Sequence, residues 1–165
     1  MNGEIYAITT GSSVVDVFNP LTKTWRVVAS RPNTVSINGM KGMDGKLYLF
    51  GSDGVVYCYD PVQNSWISNN IRYAPQFVVP AYQDFYFLYT NYYYEFKNIE
   101  RYSPADNTVT NYNSFLHGYD SFYQVCDFNN KAYIFAGQGY TSGAEILIEY
   151  MPSISPGPAK HPHSL

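Results

Sequence analysis

The sequence predicts an all-β fold of short antiparallel strands, and three observations favour it. Aromatic residues make up 18% of the 165 residues and include 18 tyrosines, which suit a half-buried pleated surface. The hydrophobic fraction is 45% and the charged fraction 14%, which indicates a folded chain. Apolar runs alternate with turn dipeptides, most clearly over residues 43–66, where Asp44-Gly45 predicts a hairpin turn and Asp60-Pro61 a type I turn.

Three landmarks recur in the same order along the chain and define an internal repeat. They are a tyrosine in an apolar run, a proline after an aromatic residue, and a large apolar residue five positions later. The landmarks are Tyr6, Tyr48, Tyr86 and Tyr133, then Pro20, Pro61, Pro104 and Pro152, then Trp25, Trp66 and Val109. The tyrosines lie 38 to 47 residues apart. A repeat of this length with four short strands is typical of a β-propeller blade.

The repeat predicts fourteen strands in four units, which span residues 1–30, 31–72, 73–115 and 116–152. The first unit should hold three strands, at Glu4–Thr9, Val14–Phe18 and Thr24–Val28. Two four-stranded units follow, with first strands near Ser36–Met43 and Phe77–Tyr82. The last unit should hold three, at Phe122–Phe128, Lys131–Ala136 and Ala144–Met151. Residues 153–165 form a proline-rich tail that is unsuited to a paired strand.

Turn chemistry is expected immediately before the strand that carries the landmark tyrosine in each unit. The dipeptides at these positions are Asn2-Gly3, Asp44-Gly45, Gln83-Asp84 and Asn129-Asn130. Runs such as Leu47–Phe50 and Phe85–Tyr89 are apolar at every position, which predicts strands that are covered on both faces.

Residues 5–25, 47–66 and 98–109 resemble the kelch-repeat family. They look like parts of the family's pattern of an apolar strand around a tyrosine, a glycine pair, a V-x-x-Y-D-P segment and a tryptophan. The resemblance implies a kelch-type propeller of four-stranded blades that serves as a non-catalytic protein-binding module. It also implies a context such as a ubiquitin-ligase substrate adaptor or an actin-associated scaffold.

Fourteen strands amount to about three and a half blades, and three interpretations remain open. The chain is a segment of a longer propeller, or it is completed by a second copy in a homodimer, or it closes alone as a four-bladed ring. An open arc would leave strand edges and a blade face uncovered at each end.

Partner binding is expected on the face where the second-to-third-strand turns and the connections between units emerge. Arg31 and Arg72 each lie six residues after a landmark tryptophan, and their guanidinium groups suit an acidic peptide. The resemblance implies the same, because arginines of this face contact acidic peptides in kelch substrate adaptors. Aromatic support is expected from Tyr92, Tyr93, Tyr94, Phe115, His117 and Tyr119. Alternatively, the arginines pair with local groups and Tyr92–Tyr94 extend a strand.

Several function classes are disfavoured by composition. The net charge is −3 and no run of Lys or Arg occurs, so no nucleic-acid or membrane footprint is expected. No His/Cys cluster has metal-ligand spacing, and no cofactor is expected. The alternative function is a propeller enzyme acting on a carbohydrate, such as an epimerase or a glycosidase. Its carboxylates would come from Asp16, Asp53, Glu95, Glu100, Glu145 or Glu149, and no spacing selects a pair among them.

A cytoplasmic location is expected from the absence of a secretory signal and of a long apolar run. Cys58 and Cys126 are expected to be buried free thiols within strands.

Overall fold

A computed structural model describes residues 3–90, 96–112, 121–129, 131–138 and 144–150, and these residues form β-strands and turns without a helix. The fourteen strands fall into four antiparallel sheets in chain order. Sheet 1 contains β1 (Ile5–Ile8), β2 (Val15–Asn19) and β3 (Thr24–Val27). Sheet 2 contains β4 (Ile37–Met43), β5 (Lys46–Gly51), β6 (Val55–Asp60) and β7 (Ser65–Asn70). The predicted all-β fold class is confirmed.

The remaining strands form two more sheets of the same kind. Sheet 3 contains β8 (Phe77–Ala81), β9 (Asp84–Thr90), β10 (Phe96–Ser103) and β11 (Thr108–Tyr112). Sheet 4 contains β12 (Ser121–Phe128), β13 (Lys131–Gln138) and β14 (Ala144–Tyr150). Each predicted unit therefore contains one sheet. Contacts divide the chain into two units, Met1–Pro75 with sheets 1 and 2, and Gln76–Leu165 with sheets 3 and 4.

The tyrosine landmark has the same cross-strand partner in every sheet. It pairs with the residue three positions before the landmark proline, as Tyr6 with Val17, Tyr48 with Cys58, Tyr86 with Arg101, and Tyr133 with Glu149. The third landmark is also in register, because Trp25, Trp66 and Val109 pair with Phe18, Tyr59 and Tyr102. The four sheets are therefore structural repeats, as the spacing predicts.

The turns before the landmark tryptophans share one side-chain mechanism. Asn19 Oδ1 accepts hydrogen bonds from the amides of Leu21 and Thr22, at 2.9 and 3.2 Å. Asp60 Oδ1 accepts equivalent bonds from Val62 and Gln63, at 2.9 and 3.2 Å. These bonds let the side chain mimic a backbone turn, which explains why Asn or Asp occupies the position.

The hairpin turn of sheet 3 lies one residue earlier than predicted. The left-handed residues are Tyr82 and Gln83, with φ of 52° and 66°, and not Gln83 and Asp84. Asp84 instead begins β9 opposite Ala81, and its carboxylate is held by Arg101 at 2.6 Å. A tyrosine at positive φ is disfavoured locally, so strand pairing and this ion pair fix the turn.

The core of the compact unit Met1–Pro75 lies between sheets 1 and 2. Sheet 1 contributes Tyr6, Val15 and Val17, sheet 2 contributes Leu47, Leu49, Tyr57 and Tyr59, and Val28 joins them from the residue after β3. Every residue of Leu47–Phe50 and of Phe85–Tyr89 is buried. This confirms the prediction that these two apolar strands are covered on both faces.

In the second unit, the aromatic rings of Phe85 and Phe87 stack on Tyr102 with centroids 6.4 and 5.8 Å apart. Strand β8 contacts both β12 and β13. Both cysteines are free, but only Cys58 is buried. The prediction that Cys126 is buried is wrong, because its side of β12 is exposed.

Candidate functional site

In the compact unit Met1–Pro75, the turns and connections that were predicted to bind a partner lie at one end of sheets 1 and 2. This end consists of residues 9–14, 28–36, 52–54 and 71–75, which we call the loop face. Backbone hydrogen bonds join its segments: Ser52 donates to Ser36 at 2.8 Å, and Ile71 donates to Gly54 at 2.8 Å. Because the strands are antiparallel, these turns and connections emerge together, as the strand order predicts.

Arg31 is buried within this face and does not project into solvent. Its side chain is 3% exposed, and its Nε and Nη1 donate to the carbonyl oxygens of Ser12 and Val35, each at 2.8 Å. Its backbone amide donates to Ser13 at 2.9 Å. Its Nη2 is also buried and has no hydrogen-bond partner among the described residues. The prediction that Arg31 is a partner-binding arginine is therefore corrected: it fastens the β3–β4 connection to the β1–β2 turn.

Arg72 is exposed, although it occupies the same sequence position in the repeat as Arg31. Its guanidinium lies over the Tyr73 ring, 5.1 Å from the centroid, and Tyr73 is itself exposed. The difference arises in the backbone. The backbone amide of Ile71, one residue before Arg72, donates a hydrogen bond to the Gly54 carbonyl. The amide of Arg31 makes the equivalent hydrogen bond to Ser13, and Ile71 is buried as Arg31 is. One extra residue in the β3–β4 connection thus turns Arg31 inward and leaves Arg72 outward.

A polar cluster of three side chains lies beside Arg31. The Tyr57 hydroxyl donates to Asp53 Oδ2 at 2.6 Å. Asn33 Nδ2 donates to the same carboxylate oxygen at 3.1 Å and also contacts the Tyr57 hydroxyl. Two side-chain oxygens of the cluster also order the local backbone. Asn33 Oδ1 accepts a hydrogen bond from the Val35 amide, and Asp53 Oδ1 accepts one from the Val55 amide. The cluster holds the β3–β4 connection against the β5–β6 turn.

Sequence reasoning included Asp53 among many carboxylates but missed Asn33 and Tyr57. The useful signal was the position of Asn33 in one loop-face segment and of Asp53 in another, with Tyr57 at the start of the adjoining strand.

Burial raises the pKa of Tyr57, and its hydrogen bond to Asp53 raises it further, whereas Asn33 and the charge of Arg31 act in the opposite direction. Because the folded state disfavours the phenolate, the unfolded chain ionises first as pH rises. We expect the stabilising contribution of Tyr57 to be complete below pH 10, its ordinary pKa, and to be lost above it. Tyr57→Phe should therefore make the alkaline loss of stability less steep, as measured by urea unfolding between pH 8 and 11. Identical pH profiles for Tyr57→Phe and wild type would contradict this assignment.

The other predicted partner-binding residues lie outside the part of the chain that the structure describes in side-chain detail. They are Tyr92, Tyr93, Tyr94, Phe115, His117 and Tyr119. Of the carboxylates considered for an enzyme, Glu100 is buried in β10 and hydrogen-bonds to Tyr89. Among the residues of the loop face as defined above, Asp53 is the one that carries a carboxylate.

Within the described ranges, no three His, Cys, Asp or Glu side chains are grouped as a metal site requires. The same residues include no helix that is long and apolar enough to span a membrane.

Comparison with known proteins supports the fold alone. The sequence matches no protein-family model and no curated protein. Among solved structures, the chain is similar to the computationally designed Ika4 protein, with a TM-score of 0.57 and 10% sequence identity. The similarity covers 91% of this chain and 86% of that chain. At this level of identity the similarity concerns the fold and assigns no family.

Proposed function

We propose that the chain is a non-catalytic protein-interaction module of the kelch type, which binds an acidic peptide segment at its loop face. The observation that supports this best is the exposed pair of Arg72 and Tyr73 on the β7–β8 connection. Arginine and tyrosine are enriched among residues that dominate binding energy, and a guanidinium donates two parallel hydrogen bonds to a carboxylate.

The connection that carries this pair is fastened on both sides. Ile71 donates its amide to Gly54 at 2.8 Å, and Asn38 Nδ2 donates to the Pro75 carbonyl at 3.1 Å. The guanidinium is also positioned over the Tyr73 ring. A side chain that is already oriented loses less conformational entropy when a partner binds, so the same contacts yield a higher affinity.

The wider context that we propose follows from the sequence resemblance. It is a cytoplasmic substrate-recognition arm of a ubiquitin-ligase adaptor, or an actin-associated scaffold. The aromatic residues Tyr92–Tyr94, Phe115, His117 and Tyr119 remain predicted contributors to partner binding.

Peptide binding should depend on Arg72 and on the partner's charge. We expect labelled peptides rich in Asp and Glu to bind more tightly than their Asn and Gln counterparts, as measured by fluorescence anisotropy. Arg72→Ala should lower the affinity for acidic peptides about tenfold or more, which is within the range for interface arginines. Arg72→Lys should recover part of this loss of affinity.

Arg26→Ala is the matched control, because it removes the same charge from β3, where Arg26 pairs with Glu4 at 2.8 Å. We expect this variant to bind acidic peptides as wild type does. Equal losses in the two variants would indicate a general charge effect, and equal binding of acidic and amide peptides would contradict the proposal.

The cluster of Asn33, Asp53 and Tyr57 favours carbohydrate binding as a second candidate, since amide, carboxylate and phenol groups hydrogen-bond to sugar hydroxyls. We rank it lower for two reasons. Three polar contacts join Asn33, Asp53 and Tyr57 to one another within the cluster. Glycoside hydrolysis also ordinarily needs two carboxyl groups, whereas the loop face as defined contains one, that of Asp53. Sugar binding that is lost in Asp53→Ala but kept in Arg72→Ala would reverse this ranking.

A further inference from the structure

Sheet 2 packs on sheet 1 through a defined set of side chains, which provides a template for how two repeats associate. Sheet 2 presents what we call its docking face, consisting of Leu47, Leu49, Tyr57, Tyr59 and Trp66. Sheet 1 presents what we call its receiving face, consisting of Tyr6, Ile8, Val15 and Val17. The rings of Tyr59 and Tyr6 meet across the contact, with centroids 6.2 Å apart.

Sheet 1 carries a second docking face on its opposite side. The strand register places Ile5, Phe18 and Trp25 in one row, where sheet 2 has Leu47, Tyr59 and Trp66. The Phe18 and Trp25 rings are 5.0 Å apart and inclined at 37°, and the Tyr59 and Trp66 rings are 5.0 Å apart at 38°. This aromatic pair therefore has the docking geometry already, yet Trp25 is 61% exposed.

Other side chains of the same face are also exposed. Ile5 lies beside Phe18, and Val27 follows Trp25 on the same side of β3, and both are more than half exposed. An apolar row that crosses three strands and is exposed to solvent is typical of an interaction surface.

Sheet 4 presents the complementary kind of surface. Tyr133 and Phe135 of β13 occupy the positions that Tyr6 and Ile8 hold in sheet 1, because Tyr133 is the landmark tyrosine of its sheet. Phe135 and Phe128 of this side are 36% and 64% exposed, and Cys126 beside Tyr133 is exposed as well. The alternate residues Ala132 and Ile134 are fully buried. Among the described side chains of sheet 4, Ala132 and Ile134 on the docking side are therefore buried, whereas Phe128 and Phe135 on the receiving side are exposed.

We propose that two copies of this chain associate head to tail, with the receiving face of sheet 4 in one copy covering the docking face of sheet 1 in the other. Each chain carries one exposed surface of each kind, and two chains related by a twofold axis would make the same contact twice. Contact between two docking faces would leave both receiving faces in solvent. Two copies supply eight sheets, within the four to eight that single propellers use.

The mass of the full chain in solution tests the proposal first. We expect light scattering to give twice the 18.8 kDa chain mass at micromolar concentration. Trp25→Asp and Phe135→Asp should each raise the dimer dissociation constant about 30-fold or more, as for truncation of a central interface aromatic residue. Val27→Lys is a second variant of the docking face.

Leu21→Asp is the matched control, since Leu21 is an exposed apolar residue in the β2–β3 turn, away from this face. It should remain a dimer. A monomeric wild type, or an undiminished dimer in both Trp25→Asp and Phe135→Asp, would overturn the proposal.

Mixing the two variants distinguishes head-to-tail contact from like-to-like contact. Trp25→Asp keeps its receiving face and Phe135→Asp keeps its docking face, so the mixture should form a heterodimer through one intact contact. We expect the mixture to associate more tightly than either variant alone. If mixing restores no association, the faces do not pair in the proposed way.

Discussion

Trp66→Ala should lower the free energy of unfolding by about 3 kcal/mol, at the lower end of the range for tryptophan truncation in a core. Trp66 packs against the core between sheets 1 and 2, and its ring lies 5.0 Å from that of Tyr59. Its Nε1 also donates to the Ala29 carbonyl at 2.7 Å, so truncation removes a contact between the two sheets as well as apolar surface. Urea unfolding at a concentration where the chain is monomeric measures the effect.

Trp25→Ala is the control for this prediction, because Trp25 occupies the same position in the preceding repeat. Its ring is largely exposed, so we expect a loss below about 1 kcal/mol under the same conditions. Losses of similar size in the two variants would mean that the packing of sheet 2 on sheet 1 is not what holds Trp66.

Arg31→Met should destabilise the chain by about 2–4 kcal/mol, although it exchanges a polar side chain for an apolar one of similar length. The carbonyl oxygens of Ser12 and Val35 would each lose a donor in a partly buried setting, and an unsatisfied buried group costs about 1–3 kcal/mol. The β3–β4 connection would also lose its fastening to the β1–β2 turn. Thermal or urea unfolding measures the loss.

Arg72→Met provides the matched comparison and should change stability by no more than about 0.5 kcal/mol, since Arg72 is exposed. For peptide binding we expect the opposite order, with a larger loss of affinity in Arg72→Met than in Arg31→Met. If Arg31→Met left stability unchanged and abolished peptide binding, Arg31 would be a binding residue after all.

The sequence predicted the sheets well because their boundaries depend on local chemistry. Asn19 and Asp60 fold the turns through hydrogen bonds to amides two and three residues away, and Asp44-Gly45 adopts positive φ at both positions. These interactions are short in sequence and repeat at a fixed spacing, so the order and register of the strands follow from them.

The site was harder to predict because its geometry depends on contacts between distant segments. Arg31 and Arg72 are equivalent in sequence, and one extra residue in a connection gives them opposite environments. The cluster joins Asn33 and Asp53 of two connections to Tyr57 of β6, across as many as 24 positions. Trp25 and Trp66 likewise share a sequence context, but Trp66 packs against the core between sheets 1 and 2, whereas Trp25 is largely exposed.

The most direct test of this account is a set of cross-strand nuclear Overhauser effects in the isotopically labelled chain. The central claim is that all four sheets repeat one register, in which the landmark tyrosine faces the residue three positions before the landmark proline. We predict contacts across the pairs Tyr6–Val17, Tyr48–Cys58, Tyr86–Arg101 and Tyr133–Glu149. A displacement of even one residue in any sheet would move its side chains to the opposite face and contradict the claim.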